Sequence, residues 1–352
     1  MDKIPAVIIG LGRIGSLLEE DSRREKPCTH AGAINASPGC FIAAGCDTDK
    51  ERQKLFHKRW DVPVYDSAEI MIRAHSPLIV VIATHPDSHY HYCRLASTAG
   101  APVIICEKPV ADTVSKARKI AALNKNGKTG PAIIINHERR YSADYLKAKK
   151  ILESKELGEL LGVRAVLYMG ENHAREKEQR LKELRLRRRL IDVFWHDGTH
   201  LADAIMFLTG SVLKHRKRWG TALNASSGTA WLEGELLSAG LKAGSKTHVP
   251  VIVEIGAGRD YISFEMEFSC KKGALCIGNG IFEVWESGES PYAENFNSLH
   301  RVVNSFEGPT GYFANMIADA VACANDPNLA PVSSVTDGLA VIEYLASVKA
   351  WH

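Results

Sequence analysis

Four absences bound what this 352-residue sequence can be. No stretch approaches the roughly 18 uninterrupted apolar residues that a membrane-spanning helix needs. Residues 1–9 lack the basic start, apolar run and cleavage site of a secretory leader. No charge sign dominates: 44 Lys plus Arg stand against 41 Asp plus Glu, a net +3, so nothing drives the chain toward nucleic acid or a membrane surface. No CxxC occurs among the eight cysteines, which are scattered and in places sit inside apolar runs such as Val103-Ile104-Ile105-Cys106. They read as reduced, buried thiols of a cytoplasmic protein. The partner these absences leave is a small molecule.

What is present is alternation. The length suits two domains, and the pattern changes near 138, dividing the chain into 1–138 and 139–352. In the first part, apolar runs at 3–9, 41–46, 78–83, 103–106 and 132–136 read as strands. They alternate with helical spacing from 14 onward and at 49–59, 89–98 and 112–123. Nearly continuous apolar runs such as LIVVIA suit parallel strands covered on both faces, and the repeated β-α-β order predicts a doubly wound α/β domain, a Rossmann fold.

The first run ends on Gly10-Leu11-Gly12-Arg13-Ile14-Gly15, in the strand-loop-helix context that a dinucleotide-binding loop requires. Gly10 permits the turn, Gly12 the approach of a pyrophosphate and Gly15 the packing of helix on strand, while the helix N-terminus faces the phosphates. Arg13 either faces solvent beside the loop or lies against the adenine. Asp47, closing the second strand, can accept hydrogen bonds from the adenosine ribose and would repel a 2′-phosphate, which favours NAD over NADP. Otherwise it is an acidic turn residue. Its distance of 32 residues from Gly15 exceeds the usual separation of about 20, which points to an insertion around 20–38.

After 141 the pattern is that of an α+β domain with a largely antiparallel sheet. Helices are expected at 142–153 and 192–208, and strands at 161–168, 249–255, 260–269, 273–278 and 281–286, with turns at Gly256-Ala257-Gly258 and Gly278-Asn279-Gly280. On the second of these helices His196, His200 and Asp203 share one face. His196-Asp197-Gly198-Thr199-His200 also imitates a zinc-binding HExxH; a third ligand is missing and the internal glycine weakens the helix, so no metal is expected. The strongly basic stretch 175–189 is either a solvated helix or a lid for an anionic substrate group. His30, His57, His75 and His215 have no visible partner and read as surface or turn residues.

Four segments, taken together and in order, resemble the glucose-fructose oxidoreductase, inositol dehydrogenase and MocA (Gfo/Idh/MocA) family over nearly the whole chain. They are GLGRIG at 10–15, Ala83-Thr84-His85-Pro86-Asp87-Ser88-His89, Glu107-Lys108-Pro109, and Asp197-Gly198-Thr199-His200. The resemblance implies that Glu107 and Lys108 lie beside the nicotinamide, with Lys108 at the reacting oxygen, and that Thr84, Pro86 and His89 pack along the ribose and nicotinamide half. It implies that Arg140 approaches the substrate or the domain junction. It makes His200 the general base facing Lys108 from the other domain, and it implies a homo-oligomer, a dimer or tetramer. The family commonly has an aspartate four residues before that histidine. Here His196 holds the slot and Asp197 is displaced by one, so either Asp197 substitutes or His196 takes a modified role. The activity implied is NAD-dependent oxidoreduction of a hydroxyl or ketone on a sugar, cyclitol or related polyol. A non-catalytic NAD-binding regulator and an NAD-dependent glycosidase are the alternatives on the same scaffold.

Overall fold

The computed structural model describes residues 3–127, 130–170, 197–220, 228–238, 248–303 and 306–349. The chain forms two compact units, one of residues 1–143 with 309–342 and one of residues 144–308 with 343–352. This differs from the single boundary expected at 138–139, because 309–342 returns to the first unit.

The first unit is built on six parallel strands: β1 (Ile4–Ile9), β2 (Cys40–Cys46), β3 (Val64–Tyr65), β4 (Ile79–Ile82), β5 (Val103–Cys106) and β6 (Ala132–Ile135). Their order is β3-β2-β1-β4-β5-β6, the doubly wound order whose reversal between β1 and β4 opens a ligand crevice at the strands' carboxyl ends. β4 and β5 are buried at every position, as their unbroken apolar runs require. Helices α1 (His30–Ala36), α2 (Lys50–Trp60), α3 (Ala68–His75), α4 (His89–Thr98) and α5 (Val114–Ala121) follow the strands. α6 (Ala143–Ser154) starts at the unit boundary.

The helix expected from Ile14 onward is interrupted. Ser16 N and Leu17 N donate to Gly12 O and Leu18 N to Arg13 O, which begins a helical turn, but only a short 3₁₀ segment at Leu17–Glu20 follows. The helix resumes at α1, where His30 N donates to Ile14 O at 3.1 Å and Ala31 N to Gly15 O at 3.0 Å. Those bonds close a span of sixteen residues, where an uninterrupted helix closes about four. About twelve residues are therefore looped out of the first Rossmann helix, and without them Asp47 stands at the customary distance of about 20 from Gly15. The detour is closed at its base by Glu19, whose Oε2 accepts from Cys28 N at 3.2 Å and Thr29 Oγ1 at 2.7 Å. Thr29 in turn caps α1 by accepting from Gly32 N.

The returning segment carries α8 (Tyr312–Asn325), whose buried residues Phe313, Met316, Ile317, Ala320 and Cys323 form one helical stripe in the first unit's core. The detour also holds this helix: Glu25 accepts from Thr310 N, Thr310 Oγ1 and Gly311 N at 2.7–2.9 Å, satisfying amides that would otherwise end the helix unpaired.

The second unit contains an eight-stranded sheet, ordered β14-β13-β12-β11-β7-β10-β9-β8. Its strands are β7 (Leu160–Gly170), β8 (Ser211–Gly220), β9 (Thr229–Ser238), β10 (Val249–Arg259), β11 (Ser263–Cys270), β12 (Gly273–Gly278), β13 (Ile281–Glu289) and β14 (Asn297–Val303). Only β10 and β7 pair in parallel. Alternation sets the faces: Val251, Val253, Ile255, Phe264, Met266 and Phe268 point inward, while Ile252, Glu265 and Glu267 point out. The helix α7 (Gly198–Thr209) packs against β7 and β8, and α9 (Val335–Lys349) ends the described chain. Gly256-Ala257-Gly258, expected as a turn, lies inside β10, where the register shifts between Gly256 and Arg259. Gly278-Asn279-Gly280 does turn the chain between β12 and β13.

Glu25 sits where burial raises a carboxyl pKa, yet the Gly311 and Thr310 hydrogen bonds outweigh this and hold it below the usual value. A lowered folded value means that its contribution is present above the unfolded pKa and lost as pH falls through the folded one. Glu25→Ala is expected to destabilise the protein by about 1 kcal/mol at neutral pH. The deficit relative to wild type should shrink in acid, as checked by urea melts across the pH range.

Candidate functional site

The candidate site of the first unit lies along the carboxyl ends of β1, β2, β4 and β5. Gly10 turns the chain at φ +95°, and a Cβ there would stand 2.5 Å from Ala83 O. A Cβ on Gly15 would collide with Gly10 O, so these two glycines are required by packing. Gly12 is different: the nearest atom a Cβ would meet is the Arg52 guanidinium at 3.7 Å. The space above Gly12 is thus open as far as the Arg52 guanidinium, a cradle that a side chain would fill, and it fits a pyrophosphate. Arg13 and Ile14 are half-buried along it.

Asp47 stands at the end of β2 with its side chain nearly buried. Its Oδ2 accepts from Leu11 N at 2.8 Å and its Oδ1 from Asp49 N at 3.0 Å. The acid therefore fixes the loop between the first two glycines. Arg52, absent from the sequence-based site, brings Nη1 to 3.5 Å from Asp47 Oδ2 and Nε to 3.5 Å from Asp49 Oδ2.

After β4, Thr84 Oγ1 and Ser88 Oγ hydrogen-bond at 2.8 Å, and Ser88 Oγ donates to His85 O, which shapes a tight loop over buried Pro86. His89 is fully buried. Its Nε2 faces Thr84 O at 3.1 Å and its Nδ1 faces Pro109 O at 3.1 Å and Val110 O at 3.3 Å. Burial lowers its pKa against the pull of those carbonyls. His89 thus braces the loop after β4 against the turn after β5, with its ring nitrogens spent on the main chain.

Glu107 and Lys108 follow β5 directly, and the Lys108-Pro109 peptide is cis. Glu107 is buried, whereas Lys108 is half-buried. Burial acts to raise the Glu107 pKa. Hydrogen bonds from His30 and Asn136, with the charge of Lys108, outweigh it and hold the carboxyl below its usual range. His30, expected at the surface, is fully buried, with Nε2 2.8 Å from Glu107 Oε1. A buried histidine was missed because its partner lies 77 residues away and the detour before it reads as polar loop. Of the other histidines, His75 Nε2 meets Tyr65 Oη at 3.0 Å, His57 Nδ1 faces Val62 O at 2.9 Å, and His215 is half-buried in β8.

Arg140 is buried and lies 3.1 Å from Asp337 Oδ1, with Nη1 also donating to Val332 O. Those partners account for its charge without a substrate. Within the second unit, Asp197 precedes α7, His200 N donates to Asp197 O at 3.1 Å, and His200 is half-buried on the helix's first turn, with Asp203 buried one turn on. The helix expected at 192–208 is described from 198; His196 and the basic stretch 175–189 lie outside the described residues.

Residues 4–130 match the model of an oxidoreductase family described as having an NAD-binding Rossmann fold. The chain is 28% identical over 163 residues to the inositol 2-dehydrogenase of Salmonella typhimurium, covering 46% of this chain and 44% of that one. The curated relatives first in similarity are matched over a quarter to a half of their own length. Among solved structures, myo-inositol 2-dehydrogenase from Lactobacillus plantarum superposes with a TM-score of 0.71 at 19% identity, covering 99% of this chain and 97% of that one. An oxidoreductase from Agrobacterium radiobacter, in complex with NAD+, L-tartaric acid and magnesium, superposes with a TM-score of 0.72 at 18% identity, covering 98% and 95%. At these identities the likeness establishes the fold.

The glycines separate by role. Gly15→Ala is expected to cost about 1–3 kcal/mol of stability through overpacking. Gly12→Ala should change stability by less than about 0.5 kcal/mol yet weaken NADH binding at least about tenfold by filling the cradle. Denaturant melts and NADH fluorescence titrations measure the two effects separately.

Proposed function

Because residues 4–130 belong to the Gfo/Idh/MocA family of oxidoreductases, we propose that the chain is an NAD-dependent oxidoreductase acting on a hydroxyl or ketone of a sugar, cyclitol or related polyol. The observation that carries this reading is the position of Lys108. It stands two residues past the end of the buried strand β5, at the carboxyl edge of a sheet whose neighbouring strands end in the glycine cradle and the braced loop after β4.

NAD, when bound, takes up the hydride. Gly12 and the loop from 10 to 15 hold the pyrophosphate, Asp47 accepts from the adenosine ribose, and Thr84 with Pro86 lines the nicotinamide half. Lys108 donates a hydrogen bond to the reacting oxygen and stabilises negative charge there as the C–H bond breaks. His200 accepts the hydroxyl proton, for which a neutral imidazole is suited near pH 7. Asp197, whose carbonyl receives the His200 amide, holds the first turn that carries that ring. Asp47 favours NAD over NADP, and the second unit is the substrate and oligomerisation domain. The outward face of its sheet, where Ile252 is about half exposed, is the surface on which copies of the chain would meet.

A panel of polyols and sugar acids, offered with NAD and with NADP and followed at the nicotinamide absorbance band, tests substrate class and cofactor together. Oxidation of at least one polyol, with reduction of NAD to NADH, is expected. Lys108→Ala and His200→Ala should each lower kcat by about 10²–10⁴-fold while NADH still binds. Full turnover by Lys108→Ala would sink the assignment.

A further inference from the structure

Two polar side chains converge on one oxygen behind Lys108. His30 Nε2 lies 2.8 Å and Asn136 Nδ2 2.5 Å from Glu107 Oε1, and all three residues are buried. The other ring nitrogen of His30, Nδ1, is buried without a hydrogen-bond partner, so the ring's polar function is spent on Glu107. The Phe313 ring packs edge-on against it, with centroids 5.2 Å apart. At its backbone, His30 N is bonded to Ile14 O and the next amide to Gly15 O, so this residue begins the helix that resumes from the glycine loop. One residue thus joins the loop that would hold the cofactor's phosphates to the carboxylate that precedes Lys108.

We propose that His30 is a positioning residue for the reaction: it holds the Glu107 carboxylate in one place and ionised, and thereby keeps Lys108 in register with the glycine loop. The proposal rests on the reading of Lys108 as the catalytic lysine. An isolated carboxylate in such a place would take up a proton, because burial favours its neutral form. Glu107 is held below its usual range by His30, Asn136 and Lys108 acting together. The other titratable groups that it faces are His89 on α4 and Cys106 on β5. A protonated Glu107 would require His30 to accept at Nε2 and to carry its proton on the buried, unpartnered Nδ1, which weakens the contact that fixes the turn after β5.

Side-chain length gives the test. In His30→Gln the amide nitrogen can stand near the place of Nε2, whereas the amide of His30→Asn is too short to reach Glu107. The first readout needs no turnover: infrared spectra at neutral pH are recorded for both variants, each alone and combined with Glu107→Gln. The stretch of a protonated carboxyl group is expected in His30→Asn, absent from its Glu107→Gln double variant and absent from His30→Gln. In turnover, His30→Asn should lower kcat up to about 100-fold, as a misplaced catalytic group does. The acid limb of its pH profile should move to higher pH, since Glu107 then protonates earlier as pH falls. His30→Gln should restore both.

A His30→Asn protein with no new carboxyl band and a wild-type pH profile would overturn the proposal. So would an equal loss in both variants that follows their melting temperatures alone. Should wild type turn over nothing in the panel, the reading of Lys108 fails, and the infrared result still decides whether His30 keeps Glu107 ionised.

Discussion

The first unit depends on two backbone hydrogen bonds, those by which His30 and Ala31 reach back to Ile14 and Gly15. They let a helix opened by the glycine loop continue after a detour, so the loop gains a full helix behind it although α1 is only seven residues long. Isolated helices of that length do not persist in water. This one persists because it is capped by Thr29, continued from Gly12–Leu18 and buried on the side that carries His30, Ala31, Ala33 and Ile34. Gly32 belongs to the same arrangement, since a Cβ there would strike the Glu19 carboxylate that closes the detour.

Much of the fold was legible in the sequence because burial on both faces leaves an unbroken apolar run. β4 and β5 follow such runs within a residue or two, and the alternating pattern of β10 and β11 follows from one buried face. What escaped has physical reasons. β8 carries Lys214, Arg216, Lys217 and Arg218, the composition of an edge strand that must discourage further pairing rather than fill a core. β3 is two residues long, too short for any period. The return of 309–342 could not be read locally, because its stripe of Phe313, Met316, Ile317, Ala320 and Cys323 says only that the helix is buried, not against which sheet.

The candidate site divides in the same way. Glycines whose missing side chains are demanded by the backbone, Gly10 and Gly15, announce themselves through their spacing, whereas Lys108 was singled out only through the family resemblance of Glu107-Lys108-Pro109. Groups that act at long range in sequence do not. His30 and Glu107 are 77 positions apart, and Arg140 meets Asp337 across more than half of the chain. His89 was singled out from its place in the segment 83–89, but its buried ring serves two main-chain carbonyl clusters. His30 and His89 are both fully enclosed, yet one faces a carboxylate and the other faces carbonyls. The first can control a charge; the second can hold only a shape.

Charge at the end of β2 bears on which dinucleotide the cradle accepts. Asp47 and Asp49 share a single Arg52, each at 3.5 Å, so the group keeps an excess of one negative charge beside the loop. A 2′-phosphate, carrying about −1.5 to −2 as a phosphoryl group does near neutral pH, would approach two carboxylates of which one arginine can neutralise only part. It would also have to draw Arg52 away from Asp47, whose carboxylate holds Leu11 N and with it the turn between Gly10 and Gly12. A ribose hydroxyl makes neither demand, since it can donate to Asp47 while the carboxylate keeps its amide. The proposed preference for the unphosphorylated cofactor rests on this double duty: the group proposed to recognise the ribose is the one that fixes the phosphate loop.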